Sequence, residues 1–130
     1  MTDVRRAMEA LQRSDMAPHI TSWRIIAPCS PRYADPPEAL DPRLLAMLRS
    51  QGVEQLYTHQ VGAVRAALAG ENIVVVTPTA SGKTLCYNLP VLQALLDAPE
   101  SCALYLFPTK ALAHDQLHAL SASRDALTLD

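Results

Sequence analysis

One short stretch constrains this chain more than any other. Ile73, Val74, Val75, Val76 and Thr77 are consecutive β-branched residues, and the turn that follows ends in Gly82, Lys83 and Thr84. A β-branched run with no polar alternation predicts a strand buried on both faces of a parallel sheet. Gly82 to Leu96 then reads as a helix, because Leu85, Leu89, Leu92 and Leu96 recur at the spacing of one core-facing stripe. Pro90 falls inside it and is expected to kink or split it. Ala103 to Phe107 reads as a second buried strand, and Lys110 to about Ser123 as a final helix. Strand, helix, strand, helix implies a right-handed parallel crossover and an α/β fold class.

The segment from Thr77 to Thr84 resembles the Walker A phosphate loop, G-x-x-x-x-G-K-[ST]. The residue types suit that chemistry. Gly82 lets the backbone curl so that successive N–H groups point at phosphate oxygens, and the helix that starts there adds the positive end of its dipole. Thr79, Ala80, Ser81 and Gly82 would form the cage. Lys83 would bring a full charge to the β and γ phosphates of ATP, and the Thr84 hydroxyl would ligate Mg²⁺, which makes these two the candidate catalytic groups. Thr77 stands where the general pattern has its first glycine. The plain alternative is a strand-to-helix turn capped by Ser81.

Two flanking segments carry further candidates. Leu56, Tyr57, Thr58, His59 and Gln60 precede the loop. A glutamine amide offers donors and an acceptor in one plane, matching adenine at N6 and N7. Gln60 is therefore either an adenine reader or a solvated helix residue, and Tyr57 either stacks on a base or packs its own helix. After the second strand, Pro108, Thr109 and Lys110 stand at the carboxyl edge where α/β sheets gather ligands. With the free N–H groups of the helix start they would hold nucleic-acid phosphates; otherwise Thr109 is an ordinary N-cap and Lys110 lies in solvent. His114 and His118 share the spacing of a zinc-binding helix but have no third ligand in view, so a solvated face is expected and zinc is not.

The N-terminal third is organised differently. Residues 3 to 15 read as a helix with Val4, Met8 and Leu11 on one side. Residues 20 to 27 suit an extended arm, and Pro28, Pro31, Pro36, Pro37 and Pro42 block regular structure beyond it. Asp41 to Gln51 predicts a short helix with Asp41 as N-cap, Pro42 at its first position and Gly52 as stop. Thr58 to Leu68 predicts another, ended by Gly70, with Val61, Val64 and Leu68 inward. Residues 1–38 thus form a helix and Pro-rich arm, and 39–130 the α/β portion. The 130 residues are 49% hydrophobic and 18% charged, with a net charge of −2. That balance excludes a disordered chain and a strong overall attraction for nucleic acid, so any such contact must be local. The apolar runs have strand length, so no membrane span is expected. Cys29, Cys86 and Cys102 form no CxxC pair, which points to a reducing, cytoplasmic setting.

In order, these segments resemble the opening motifs of superfamily 2 helicases. Leu56 to Gln60 resembles the Q motif, Thr77 to Thr84 motif I (where threonine or alanine commonly replaces the first glycine), and Phe107 to Gln116 motif Ia. The strings Arg32 to Asp35, Leu85 to Pro90 and Ala103 to Lys110 are similar to bacterial DEAD/DEAH-box helicases of the mitomycin-repair type, RecQ-like relatives with a C-terminal cysteine-rich region. The resemblance spans about residues 30 to 130. It implies a partial RecA-like P-loop domain, with Gln60 reading adenine and Pro108 to Lys110 gripping the tracked strand. It implies ATP and Mg²⁺ as cofactors, DNA with a single-strand–duplex junction as partner, and ATP-driven 3′ to 5′ unwinding in DNA repair, with ATP closing two RecA-like domains.

Hydrolysis also needs an acidic pair, usually Asp-Glu, after a further strand. No such pair follows a buried strand here, and Asp130 comes too soon. The chain is therefore expected to be the N-terminal portion of such a helicase, weak or inactive in ATP hydrolysis by itself, and marginally stable because its sheet edge is open. The alternatives are a stand-alone nucleotide-binding module and an inactive truncated product; a phosphate-loop kinase fits the motif Ia-like segment less well.

Overall fold

The computed structural model describes residues 2–24, 26–27 and 30–127. Pro28, Cys29 and the terminal Asp130 of the sequence reading lie outside them. The chain divides into two compact units, Met1–Ser30 and Pro31–Asp130. The first holds helix α1 (Thr2–Arg13) and a single 3₁₀ turn, Ala17–His19. The helix closes where Ser14 Oγ donates to Leu11 O (2.8 Å) and accepts from Met16 N (3.2 Å). Val4 and Leu11, on the expected apolar stripe, are exposed.

The second unit contains β1 (Tyr33–Ala34), α2 (Pro42–Ser50), β2 (Leu56–Tyr57), α3 (Thr58–Leu68), α4 (Lys83–Asp97) and α5 (Lys110–Leu127). Helix α2 starts as its sequence dictates. The Asp41 side chain accepts from Arg43 N at 2.8 Å, with Pro42 in the first turn where its missing N–H costs nothing. Gly52 ends it at φ +80°, with Val53 N donating back to Leu48 O at 2.9 Å. Helix α3 has the expected bounds and stops at Gly70, also at positive φ.

The core lies among the helices. Leu44, Met47 and Leu48 of α2, Val61 and Val64 of α3, Leu89 and Leu92 of α4, and Leu127 of α5 form one buried cluster with Leu40 and Leu56. Gln93 of α4 enters it as a satisfied polar group, accepting from Asp41 N (2.7 Å) and donating to Asp97 Oδ1 (2.9 Å). Helix α4 stays continuous through Pro90, against the expected split. Leu89 and Leu92, on either side of the proline, are both buried, and that packing outweighs the single backbone bond a proline removes.

The two expected strands come out differently. Neither 73–77 nor 103–107 is hydrogen-bonded as a strand among the described residues; the sheet found there is β1 with β2, antiparallel, Tyr33 opposite Tyr57 and Ala34 opposite Leu56. Both runs do alternate in burial. Ile73, Val75, Tyr105 and Phe107 are partly covered, whereas Val74, Val76, Leu104 and Leu106 are 85–90% exposed. One face of each run is covered, not two. A strand becomes a ladder only when a neighbour takes its N–H and C=O groups, and neither run has such a neighbour among the described residues. The final helix also runs on to Leu127, because that side chain is buried in the core.

Candidate nucleotide-binding site

The loop from Thr77 to Gly82 is tightly curled. Gly82 has φ +74° and Ala80 φ +59°, the latter a non-glycine residue in the left-handed region. Such strain is held only where surroundings over-determine it. Here the Thr77 and Ser81 hydroxyls meet at 2.6 Å across the turn. The Lys83 ammonium folds back to donate to Thr77 O (2.8 Å) and Pro78 O (2.6 Å). Gly82 caps α4 without any side-chain cap bond, so the first N–H groups of the helix are left to an incoming acceptor.

The first turn of α3 fastens this loop from outside. Gln60 is 2% exposed. Its Nε2 donates to Gly82 O at 2.9 Å, while its Oε1 accepts from Tyr57 N at 2.8 Å. Next to it, His59 Nε2 and Ser81 O lie 3.0 Å apart, an arrangement that requires the N–H tautomer at Nε2. Two neighbouring side chains thus hold two consecutive carbonyls of the loop. Gly82 is required twice over: besides its positive φ, a Cβ there would sit 2.5 Å from Gln60 Nε2. Cys86, one helical turn on, is buried, and that burial raises its thiol above the ordinary range.

The solvated-helix alternative for Gln60 is set aside by its burial. Tyr57 packs on its own helix, stacking on His59 of α3 (ring centroids 5.7 Å), and also stacks on Tyr33 (5.2 Å). Sequence reasoning missed Tyr33 and His59. Tyr33 is positioned by the β1–β2 pairing, which a Pro-rich stretch did not signal; His59 could have been flagged by its place beside Gln60 in the first turn of α3. Tyr33 is half-exposed, and partial desolvation, then the neighbouring Tyr57, raises its phenol pKa. Tyr33, Tyr57, Gln60, Ala80, Gly82 and Leu85 line a cleft of about 470 Å³ beside the loop.

The residues present fit a nucleoside triphosphate with its magnesium: uncapped helix amides, the Lys83 ammonium held on two loop carbonyls, a first-turn hydroxyl at Thr84, and an adjoining cleft with an amide and an aromatic ring. Thr79 is exposed at the loop's outer edge. Pro108, Thr109 and Lys110 are exposed at the start of α5, where Thr109 Oγ1 accepts from Leu112 N at 3.3 Å. That is the N-cap of the plain alternative for this segment. His114 and His118 touch edge to face at 4.7 Å, and no group of three metal-ligating side chains occurs among the described residues. No described helix is long and apolar enough to cross a membrane.

Comparison with known proteins agrees with this geometry. The chain is 48% identical over 112 residues to the uncharacterized ATP-dependent helicase YprA of Bacillus subtilis, covering 86% of this chain and 15% of that protein. It is 48% identical over 66 residues to the ATP-dependent helicase HRQ1 of Saccharomyces cerevisiae, 51% of this chain and 6% of that one. The crystal structure of the DUF1998 helicase MrfA bound to DNA and AMPPNP superimposes with a TM-score of 0.83 at 44% identity, over 97% of this chain and 17% of that one. The chain thus spans about one-sixth or less of the length of these relatives, and its fold class is α/β. The family model of DEAD/DEAH box helicases matches residues 57–129, more than half of the sequence, and the chain belongs to that family.

Proposed function

We propose that this chain carries the nucleotide-binding elements and the first DNA-gripping helix of an ATP-dependent DNA helicase that unwinds duplex DNA 3′ to 5′ from a single-strand junction, in DNA repair. The observation that carries this reading is the bridge made by Gln60, which joins the Tyr57 backbone to the Gly82 carbonyl. The amide oxygen has a second lone pair and the amide nitrogen a second proton, and Gln60 is among the residues that line the cleft. A purine placed there would meet a donor and an acceptor in one plane, with the Tyr33 ring beside it for stacking.

Each remaining residue has a role its placement supports. The amides of Gly82, Lys83 and Thr84 would bind phosphate oxygens. The Lys83 ammonium would exchange its two loop carbonyls for the β and γ phosphates, and Thr84 would hold Mg²⁺. Thr79, Ala80 and Ser81 form the wall of the cage. ATP with Mg²⁺, when bound, supplies the phosphoryl group whose hydrolysis drives the motor. Pro108, Thr109 and Lys110 would hold DNA phosphates at the start of α5. The runs 73–77 and 103–107 would be strands of the parallel sheet of a RecA-like domain; their period-two exposure is that of extended chain. The free thiols of Cys86 and Cys102 suit a reducing, cytoplasmic setting.

Lys83→Ala tests the reading. Titration with a fluorescent ATP analogue and Mg²⁺ should show binding by the native chain and at least about a tenfold loss in the variant, since a charge-assisted phosphate contact is worth roughly 1.5–3 kcal/mol. Equal affinity in the two proteins would remove the phosphate role.

A further inference from the structure

The nucleotide site and the start of α5 are joined by a hydrogen-bonded path that the motifs do not foretell. Tyr87 lies one turn after Thr84 on α4. Its Oη is 3.1 Å from Gln116 Oε1 on α5 and 3.5 Å from Thr84 Oγ1. A phenol has one proton, and a glutamine Oε1 can only accept. Tyr87 is the donor in both contacts, so its single proton rests mainly on Gln116 Oε1 and reaches Thr84 Oγ1 as the longer, second acceptor. We propose that Tyr87 is a positioning residue that relays the state of Thr84 to α5, by sharing its one phenolic proton between Thr84 Oγ1 and Gln116 Oε1. This rests on the reading of Thr84 as the magnesium ligand.

The direction of the relay follows from the bond order. Were the Thr84 oxygen to give its lone pair to a cation, it would become a poorer acceptor for the Tyr87 hydroxyl across the long 3.5 Å contact. The phenolic proton would then rest wholly on Gln116 Oε1, and that bond would strengthen. The ring is held in place for this. Tyr105 meets it edge-on at 5.9 Å, donates its own hydroxyl to the buried Asn88 Oδ1 at 3.1 Å, and stacks at 6.0 Å on Phe107, the residue before Pro108. Burial, then the neighbouring Tyr87, raises the Tyr105 pKa and keeps that phenol protonated as a donor.

Beyond the Tyr87–Gln116 bond an open groove of about 590 Å³ is lined by Val91 and Leu95 of α4 and by Leu117 and Leu120 of α5. Beside such a groove few side chains fix the spacing of two helices, so one polar bond at its edge contributes to where they rest. That bond sits near the end of α5 that carries Thr109 and Lys110.

The test measures binding coupling in the full chain. Affinity for a labelled oligothymidine is compared with and without AMPPNP and Mg²⁺, in the native chain and in Tyr87→Phe, Gln116→Leu and Gln116→Glu. In the native chain, nucleotide should change oligothymidine affinity by about fivefold or more, the lower end of ordinary coupling between sites. EDTA should abolish that change. Tyr87→Phe should bind nucleotide within about twofold of native when DNA is absent, yet lose the coupling. Gln116→Leu should lose it too, and Gln116→Glu, which keeps the acceptor, should retain it. Nucleotide with Mg²⁺ should also alter tyrosine near-ultraviolet absorbance in the native chain by an increment missing from Tyr87→Phe. Native coupling in Tyr87→Phe or Gln116→Leu would overturn the relay. A native chain that binds both ligands without coupling would overturn the relay and leave the nucleotide reading standing; one that binds no nucleotide would overturn both.

Discussion

The turns at Thr77–Gly82 and Phe107–Thr109 come from the same kind of sequence, a β-branched or aromatic run that ends in a turn and opens a helix, yet they are built differently. The first is cross-braced by Lys83, Ser81, Gln60 and His59, and two of its residues stand at positive φ. The second has one long capping bond and three exposed residues. A cage for a triphosphate must be shaped before the ligand comes, so that little reorganisation is left for binding. A helix start that holds a backbone phosphate needs only free N–H groups and a nearby charge. Hydrogen-bonded bracing is concentrated at the first turn.

The same contrast runs through the packing, and its largest expected effect is there. Leu89, fully buried in the core on the helix that the first turn opens, should cost about 2–5 kcal/mol on Leu89→Ala, through lost burial and the cavity left behind. Leu104, on the open face of the second run, should change stability by no more than about 0.5 kcal/mol on the same substitution. Urea denaturation of both variants decides it, and equal losses would erase the contrast.

Next comes Gly82→Ala. Its new Cβ must push against Gln60 Nε2, and alanine must adopt φ +74°. A destabilisation of about 1–3 kcal/mol is expected from the backbone strain alone, together with loss of Mg²⁺–nucleotide binding by titration. A variant with native stability would show that the Gln60 clip gives way freely.

At the second turn the expected effect is on binding and not on fold. Lys110→Ala should weaken oligothymidine binding and lower the slope of log affinity against log salt by about one, with an unchanged melting curve. An unchanged slope would take Lys110 out of the phosphate contacts.

The smallest effect is at the cap of α2, away from both turns. Arg43 hydrogen bonds, then their mutual attraction, lower the Asp41 pKa below its ordinary 3.8. A lowered folded pKa gives stabilisation that is present above the ordinary value and is lost as pH falls through the folded one. Asp41→Asn should therefore lower stability slightly at neutral pH, leave strongly acid pH unchanged and so flatten the acid limb of a stability–pH curve; an identical acid limb would remove this contribution.

The loop's chemistry and the ends of α2 and α3 were fixed locally and could be read from residue order. Asp41 with Pro42, and glycine at 52, 70 and 82, each act on backbone within one turn of themselves, so no distant partner was needed to see them. The Gly-Lys-Thr tripeptide likewise states by residue order that a charge and a hydroxyl stand in the first turn of a helix. Only the tertiary structure could decide what meets what across the chain. It placed Gln60 against Gly82, set Tyr33 opposite Tyr57 through a pairing of two short extended pieces, kept α4 whole across Pro90, and brought Tyr87 to Gln116. It also left one face of the β-branched runs uncovered, where composition alone predicted burial on both. Local codes specify φ, ψ and caps; burial and long-range hydrogen bonds depend on which surfaces the fold brings into contact, and hydrophobicity states only that a surface prefers cover, not whether a partner is there to give it.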